Sequence, residues 1–131
     1  MARIIIVDDD EIMAEIVSEA LEAAGHLVSA VHDGFDAMEA ISRGDPDLLV
    51  LDYNLPGRTG MDILREIRAS PRAEGLPIIM VTAHGGRLLM IRADQTGADD
   101  YIIKPFAPAE LVQRAEALLL SSRITRAALR L

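Results

Sequence analysis

The sequence predicts an α/β fold: three layers, with helices on both faces of one doubly wound sheet of five parallel strands. Short β-branched apolar runs alternate five times with segments of helical spacing, and the connections between them are short. The first, third and fourth runs are apolar almost throughout, as in central strands that are covered on both faces. The predicted strands are Ile4–Val7, Leu27–Val31, Leu48–Leu51, Ile78–Val81 and Tyr101–Ile103.

Helical spacing is clearest after the first strand. An apolar stripe at intervals of three and four residues predicts a buried helix face, and Gly25 is placed to end that helix. The stripe consists of Met13, Ile16, Val17, Ala20, Leu21 and Ala24. The other predicted helices are Gly34–Arg43, Met61–Ala69, Arg87–Thr96 and Pro108–Ser121. We therefore assign residues 1–121 to one domain and residues 122–131 to a C-terminal helical extension or the start of a linker.

Composition narrows the class of protein. A length of 131 residues suits one compact domain, and the absence of cysteine excludes a disulfide framework and thiolate chemistry. A formal charge of −8 argues against direct nucleic-acid binding, which depends on neutralising phosphates. Since no apolar run reaches the roughly 18 residues of a membrane helix, membrane insertion is not expected. These features favour a soluble cytoplasmic protein.

Acidic side chains follow two of the predicted strands. Asp8, Asp9 and Asp10 come directly after the first strand, and Asp52 comes after the third. Each has a simpler explanation, since an aspartate there can cap a helix or open a turn. In a doubly wound sheet, however, ligands bind at the carboxyl ends of the strands. Converging carboxylates there would suit Mg²⁺, and the backbone carbonyl of Asn54 is a candidate further ligand.

Two more polar residues end strands. Thr82 follows the fourth strand and is either a loop residue or a hydroxyl donor in the same cleft. Lys104 follows the fifth; it is the one lysine among 13 basic residues, so its compact ammonium is not this protein's usual surface charge. Pro105 favours an extended Lys104 and allows a cis peptide that aims the side chain inward. A divalent ion, a hydroxyl and an ammonium around one carboxylate favour its attack on phosphorus.

Four segments carry a resemblance to a known family. Ile-Ile-Ile-Val-Asp-Asp-Asp, Leu-Asp-Tyr-Asn-Leu-Pro-Gly, Val-Thr-Ala and Tyr-Ile-Ile-Lys-Pro-Phe occur in the order and spacing of receiver domains of two-component response regulators. The chain resembles these domains over about residues 3–121. The resemblance implies strand order 2-1-3-4-5, as in the flavodoxin-like fold. It also implies a signalling phosphoprotein of a phosphorelay rather than an enzyme, one that assists its own phosphorylation and slow dephosphorylation.

The resemblance also assigns roles to individual residues. It implies that Asp52 is the phosphoacceptor and that Asp8 and Asp9 hold Mg²⁺ together with Asp52, Asp9 directly. Thr82 and Lys104 are expected to contact the phosphoryl group. Thr82 and Tyr101 would form the switch, with the aromatic ring turning inward on activation. Asn54 and His84 stand at rate-tuning positions, and Thr59 replaces an aspartate that is frequent in the family.

The expected partners follow from the same resemblance. A sensor histidine kinase or histidine phosphotransfer protein would donate the phosphoryl group, and Ile12, off the core stripe, is a candidate contact. Leu88 and Met90 belong either to a thoroughly packed helix or to a partner surface. The fourth helix, fifth strand and fifth helix offer a face for a homodimer. An output domain or a target protein is the remaining expected partner.

Other classes of protein remain as alternatives. A pseudo-receiver that binds partners without phosphorylation would share the fold but needs none of the catalytic groups. An Asp-nucleophile phosphatase would need a substrate-recognising cap for which the chain has no room. A flavodoxin-like carrier would need a Gly-, Ser- or Thr-rich phosphate loop where three aspartates stand.

Overall fold

A computed structural model describes residues 1–71, 73, 75–83, 92 and 95–129, with residues 123–129 described by their backbone alone. All strand pairs are parallel and the sheet has the order β2-β1-β3-β4-β5, so the expected fold and strand order are confirmed. The strands are β1 (Arg3–Val7), β2 (Leu27–Val31), β3 (Leu48–Asp52), β4 (Ile78–Thr82) and β5 (Asp100–Ile103).

Four helices can be bounded in the described part of the chain: α1 (Glu11–Ala23), α2 (Gly34–Gly44), α3 (Gly60–Ala69) and a C-terminal helix (Pro108–Leu129). The C-terminal helix continues past Ser121, so the backbone of the predicted extension is helical as far as Leu129. The predicted fourth helix, Arg87–Thr96, lies largely outside the described residues. No helix in the ranges described has the length and apolar character needed to cross a membrane.

The sheet separates two apolar layers. Alternate residues of β1 point to opposite faces, so Ile5 packs with α2 and α3 whereas Ile6 packs with α1 and the C-terminal helix. Every residue of β3 and β4 is buried, as expected for strands covered on both sides. The edge strand β2 is mostly exposed. Because β3 and β4 are packed on both faces, the side chains at their carboxyl ends have fixed positions.

The buried face of α1 differs from the predicted stripe. Its buried residues are Ala14, Val17 and Leu21, whereas Ile16 is 44% exposed and Ala24 lies beyond the last helical residue. The spacing of three and four residues is present but shifted by part of a turn, because small Ala14 occupies the contact line. The prediction was therefore wrong for Ile16 and Ala24.

Of the three adjacent aspartates, Asp10 is the one that caps a helix. Its carboxylate accepts hydrogen bonds from the backbone N–H groups of Ile12 and Met13, both at 3.1 Å, and so caps α1. The capping interpretation is thus correct for one of the three adjacent aspartates. Asp8 and Asp9 are directed elsewhere.

The start of α3 lies directly on the end of β3. Thr59 caps α3 in a reciprocal arrangement with Asp62. The Gly60 N–H donates to the backbone oxygen of Tyr53 at 2.9 Å. A Cβ at Gly60 would stand 2.4 Å from the backbone oxygen of Asp52, so a larger residue would displace the helix or the strand end. Gly60 therefore helps to set where Asp52 lies.

Candidate functional site

Three carboxylates meet at the carboxyl edge of the sheet. β1 and β3 are neighbours, and each supplies an aspartate where it ends. Ligand oxygens of Asp8, Asp9 and Asp52 all lie within 4.8 Å of one another. Asp8 and Asp52 are buried, at 5% and 3% exposure, whereas Asp9 is exposed. The acidic cluster predicted from the sequence is therefore present, with one side open to solvent.

Lys104 reaches this cluster from β5. Its Nζ lies 2.9 Å from Oδ2 of Asp52 and 3.3 Å from Oδ2 of Asp8. The Lys104 N–H donates to the backbone oxygen of Thr82 at 2.7 Å, which extends the β4–β5 pairing by one residue. The Lys104–Pro105 peptide is cis, as the sequence allowed. One ammonium is thus shared between the two buried carboxylates.

Backbone groups hold the remaining oxygens of those two carboxylates. Oδ1 of Asp52 accepts from the Asn54 N–H at 3.0 Å, and Oδ1 of Asp8 accepts from the Asp10 N–H at 2.9 Å. Over the described residues, no buried polar side-chain atom lacks a hydrogen-bond partner. The orientation of both carboxylates is therefore fixed before any ligand arrives.

The charges in the cluster shift the protonation of its members. Burial raises the pKa of the Asp8 carboxyl, and the nearby charge of Asp52 raises it further, against the opposing effects of the Asp10 N–H and Lys104. Burial opposes the charge of Lys104, yet its hydrogen bond to Asp52 and the charges of both carboxylates leave the pKa of its ammonium raised. An excess of negative charge here favours a cation.

The donor set fits Mg²⁺. It consists of carboxylate oxygens alone, with an open side at Asp9 where water and a phosphate can complete the coordination. Asn54 is exposed and adjoins the cluster through its N–H contact with Asp52, while a ligand role for its backbone carbonyl stays a prediction. Residues Asp8, Asp9 and Asp52 are the ones that could hold the ion.

Three of the other candidate residues lie in the described part of the chain. Thr82 ends β4 and is 2% exposed, beside Lys104 in the sheet. Tyr101 is partly buried and packs against the apolar layer that includes α2 and α3. Ile12 is 72% exposed, as a partner contact would be. His84, Leu88 and Met90 lie outside the described residues.

One residue beside the cluster was not predicted from the sequence. Nδ1 of His32, which follows β2, lies 3.0 Å from the backbone oxygen of Asp8. The signal was available, because a polar residue directly after β2 adjoins the end of β1 in strand order 2-1-3.

Replacing Asp8 tests the electrostatic description. We expect Asp8→Asn to raise the free energy of unfolding without divalent ions at pH 7, on the order of 1 kcal/mol. Since the native pKa of Asp8 is raised, its ionisation destabilises the fold as pH rises above the ordinary aspartate value of 3.8. The difference in the free energy of unfolding between Asp8→Asn and wild type should therefore vanish near and below that pH. Urea unfolding over a range of pH measures this difference. Asp47→Asn, at the amino ends of the strands and away from the cluster at their carboxyl ends, is the control.

Comparison with known proteins gives consistent matches. The family profile described as response regulator receiver domain matches residues 4–116. Phosphate regulon transcriptional regulatory protein PhoB of Rhizobium meliloti is 40% identical over 119 residues, 91% of this chain and 52% of PhoB. DNA-binding response regulator MtrA of Mycobacterium tuberculosis is 42% identical over 117 residues, 89% of this chain and 50% of MtrA. Chemotaxis response regulator CheY4 of Vibrio cholerae superposes with a TM-score of 0.85 at 27% identity, covering 90% of this chain and 98% of CheY4.

These matches correct the expected partners. The chain spans about half the length of the curated relatives it matches, and those relatives are a transcriptional regulatory protein and a DNA-binding response regulator. The expectation that nucleic acid is not among the partners is therefore wrong. It rested on the net charge of 131 residues, and the charge of one domain carries no information about a DNA-binding segment elsewhere in such a protein.

Proposed function

Because this chain belongs to the response regulator receiver domain family, we propose that it is a phosphorylation-activated switch with Asp52 as phosphoacceptor. The observation that carries this proposal is the buried Asp52 carboxylate, 2.9 Å from the Lys104 ammonium and within the cluster of three carboxylates. A phosphohistidine of a sensor kinase or phosphotransfer protein is the proposed donor. An oxygen of Asp52 bonds to phosphorus as the P–N bond of the donor breaks, and the electron pair of that bond stays on the imidazole nitrogen.

The residues of the site divide this work among them. Asp8, Asp9 and Asp52 would hold Mg²⁺, which when bound neutralises charge on the phosphoryl oxygens. The Asn54 N–H fixes the Asp52 carboxylate in one orientation. Lys104, already hydrogen-bonded to Asp52, can transfer that hydrogen bond to a phosphoryl oxygen without leaving the pocket. These are positioning and electrostatic contributions, which supply most of phosphoryl-transfer catalysis.

The switch itself is proposed to involve Thr82 and Tyr101. Thr82 is buried at the end of β4, next to Lys104, where its hydroxyl can approach a phosphoryl group on Asp52. Movement of Thr82 would vacate space for Tyr101, whose ring is partly buried already. A few kcal/mol of differential stabilisation is enough to shift such a two-state element.

Dephosphorylation completes the cycle. The chain is proposed to assist hydrolysis of its own acyl phosphate slowly, with Asn54 and His84 tuning the rate. The named relatives are regulators, and we propose that this domain likewise controls a DNA-binding output, as the name of MtrA states for that protein. The cytoplasmic location expected from the length, the lack of a long apolar run and the lack of cysteine belongs to the same proposal.

Labelling with acetyl phosphate tests the function. With Mg²⁺, intact-mass measurement should show the gain of one phosphoryl group per chain, and EDTA should suppress it. Removing the label with hydroxylamine, which cleaves acyl phosphates, is the control for its chemistry. A chain that takes no label under these conditions would instead be a pseudo-receiver, and the proposal would be wrong.

A further inference from the structure

His32 makes a contact that the proposed function does not use. Its Nδ1 lies 3.0 Å from the backbone oxygen of Asp8. A carbonyl oxygen only accepts hydrogen bonds, so Nδ1 must carry a proton and donate it.

The contact restrains a particular peptide group. The carbonyl of Asp8 and the N–H of Asp9 belong to one planar unit, so fixing the carbonyl direction fixes where the Asp9 backbone leaves the strand. The Asp8 N–H is already bound to the backbone oxygen of Val31 at 3.1 Å. The end of β2 therefore holds the backbone of Asp8 from both of its polar groups.

His32 is itself held firmly enough to do this. Val31, before it, is paired with Val7 in the sheet. Asp33, after it, caps α2 by accepting from the Asp36 N–H at 2.8 Å. With both neighbours fixed, the imidazole is presented to Asp8 at little cost in conformational freedom.

Asp9 is the member of the cluster that needs such support. Asp8 and Asp52 are buried, and each has one oxygen bound by a backbone N–H and the other paired with Lys104, whereas Asp9 is exposed. The position of the Asp9 carboxylate therefore depends mainly on its backbone.

We propose that His32 is a positioning residue for the cation site, acting through the Asp8–Asp9 peptide to hold the Asp9 carboxylate beside Asp52. This inference rests on the proposed function, since it assumes that the cluster binds Mg²⁺. It adds β2 to the strands whose ends build the site. Groups that orient metal ligands commonly change metal affinity by about 10–100-fold when they are replaced.

Two substitutions at His32 separate the hydrogen bond from simple packing. His32→Asn keeps an N–H donor near the position of Nδ1, whereas His32→Leu removes the donor and keeps similar bulk. We expect Mg²⁺ affinity, measured by isothermal titration calorimetry, to fall about tenfold in His32→Leu and to stay near the wild-type value in His32→Asn. At saturating Mg²⁺ the rate of acetyl-phosphate labelling should return to near wild type in both.

Each other result overturns the inference. Equal Mg²⁺ affinity in wild type and His32→Leu, or equal weakening in both variants, would show that the donor does not position Asp9. Labelling by His32→Leu that stays slow at saturating Mg²⁺ would place its effect elsewhere. If wild type itself binds no Mg²⁺, the proposed function fails and this inference with it. Glu11→Gln removes the carboxylate 3.9 Å from His32 Nε2, and a tenfold loss in that variant would assign the effect to charge instead.

Discussion

Asp52→Asn is expected to abolish phosphoryl labelling while leaving the fold intact. The amide cannot serve as the nucleophile, and removing a nucleophile commonly costs many orders of magnitude in rate. The fold should persist because Asn keeps an oxygen that accepts from the Asn54 N–H and removes one of two adjacent buried negative charges. Intact mass after acetyl-phosphate treatment measures the label, and circular dichroism during urea unfolding measures the fold.

Asp33→Asn is the matched control for that variant. Asp33 follows β2 and caps α2, and asparagine caps a helix equally well. It should therefore accept label at the wild-type rate. Labelling of the Asp52→Asn chain to the wild-type level would remove Asp52 from its assigned role.

Lys104→Met is expected to slow labelling by about 10²–10³-fold, the usual cost of removing one preorganised electrostatic contact to a transition state. The same change should lower the free energy of unfolding in EDTA. It leaves the Asp8 and Asp52 carboxylates without their shared ammonium. Losing one partner of a buried ion pair costs about 3–5 kcal/mol, and we expect about 2–3 kcal/mol because the side chain is partly exposed and Asp8 can take up a proton.

Mg²⁺ should restore much of the stability of Lys104→Met but not its labelling rate. A bound cation replaces the lost positive charge between the carboxylates, and at 100 times its dissociation constant it contributes about 2.7 kcal/mol. Arg65→Met, which removes an exposed cation on α3, serves as the control and should behave as wild type. Labelling of Lys104→Met at the wild-type rate would contradict the role given to this ammonium.

The sheet and the main site were predictable from the sequence for one physical reason. Parallel strands buried on both faces appear as continuous apolar runs, and polar residues directly after such runs must gather at one edge. Asp8, Asp52 and Lys104 were each ambiguous alone. Their common position after a strand resolved the ambiguity. In the structure the Lys104 ammonium lies within hydrogen-bonding distance of both the Asp8 and the Asp52 carboxylates.

What the sequence did not reveal depends on distances between backbones. The burial of Ala14 in place of Ile16 follows from how closely α1 approaches the sheet, which apolar spacing does not encode. The contact between His32 and Asp8 joins a side chain to a backbone oxygen 24 residues away. Strand order brings the two residues near each other, but the sequence does not show which backbone group the imidazole meets. Likewise, the need for glycine at residue 60 is visible only once α3 is seen lying on the backbone of Asp52.

Locating the phosphoryl group within the labelled protein tests the central claim most directly, because a substitution can abolish labelling by distorting the pocket. Reduction of the acyl phosphate with borohydride, digestion and peptide mass spectrometry identify the modified side chain. The account predicts a single modified residue, Asp52. Reduction at Asp8, Asp9 or any other carboxylate in place of Asp52 would contradict it.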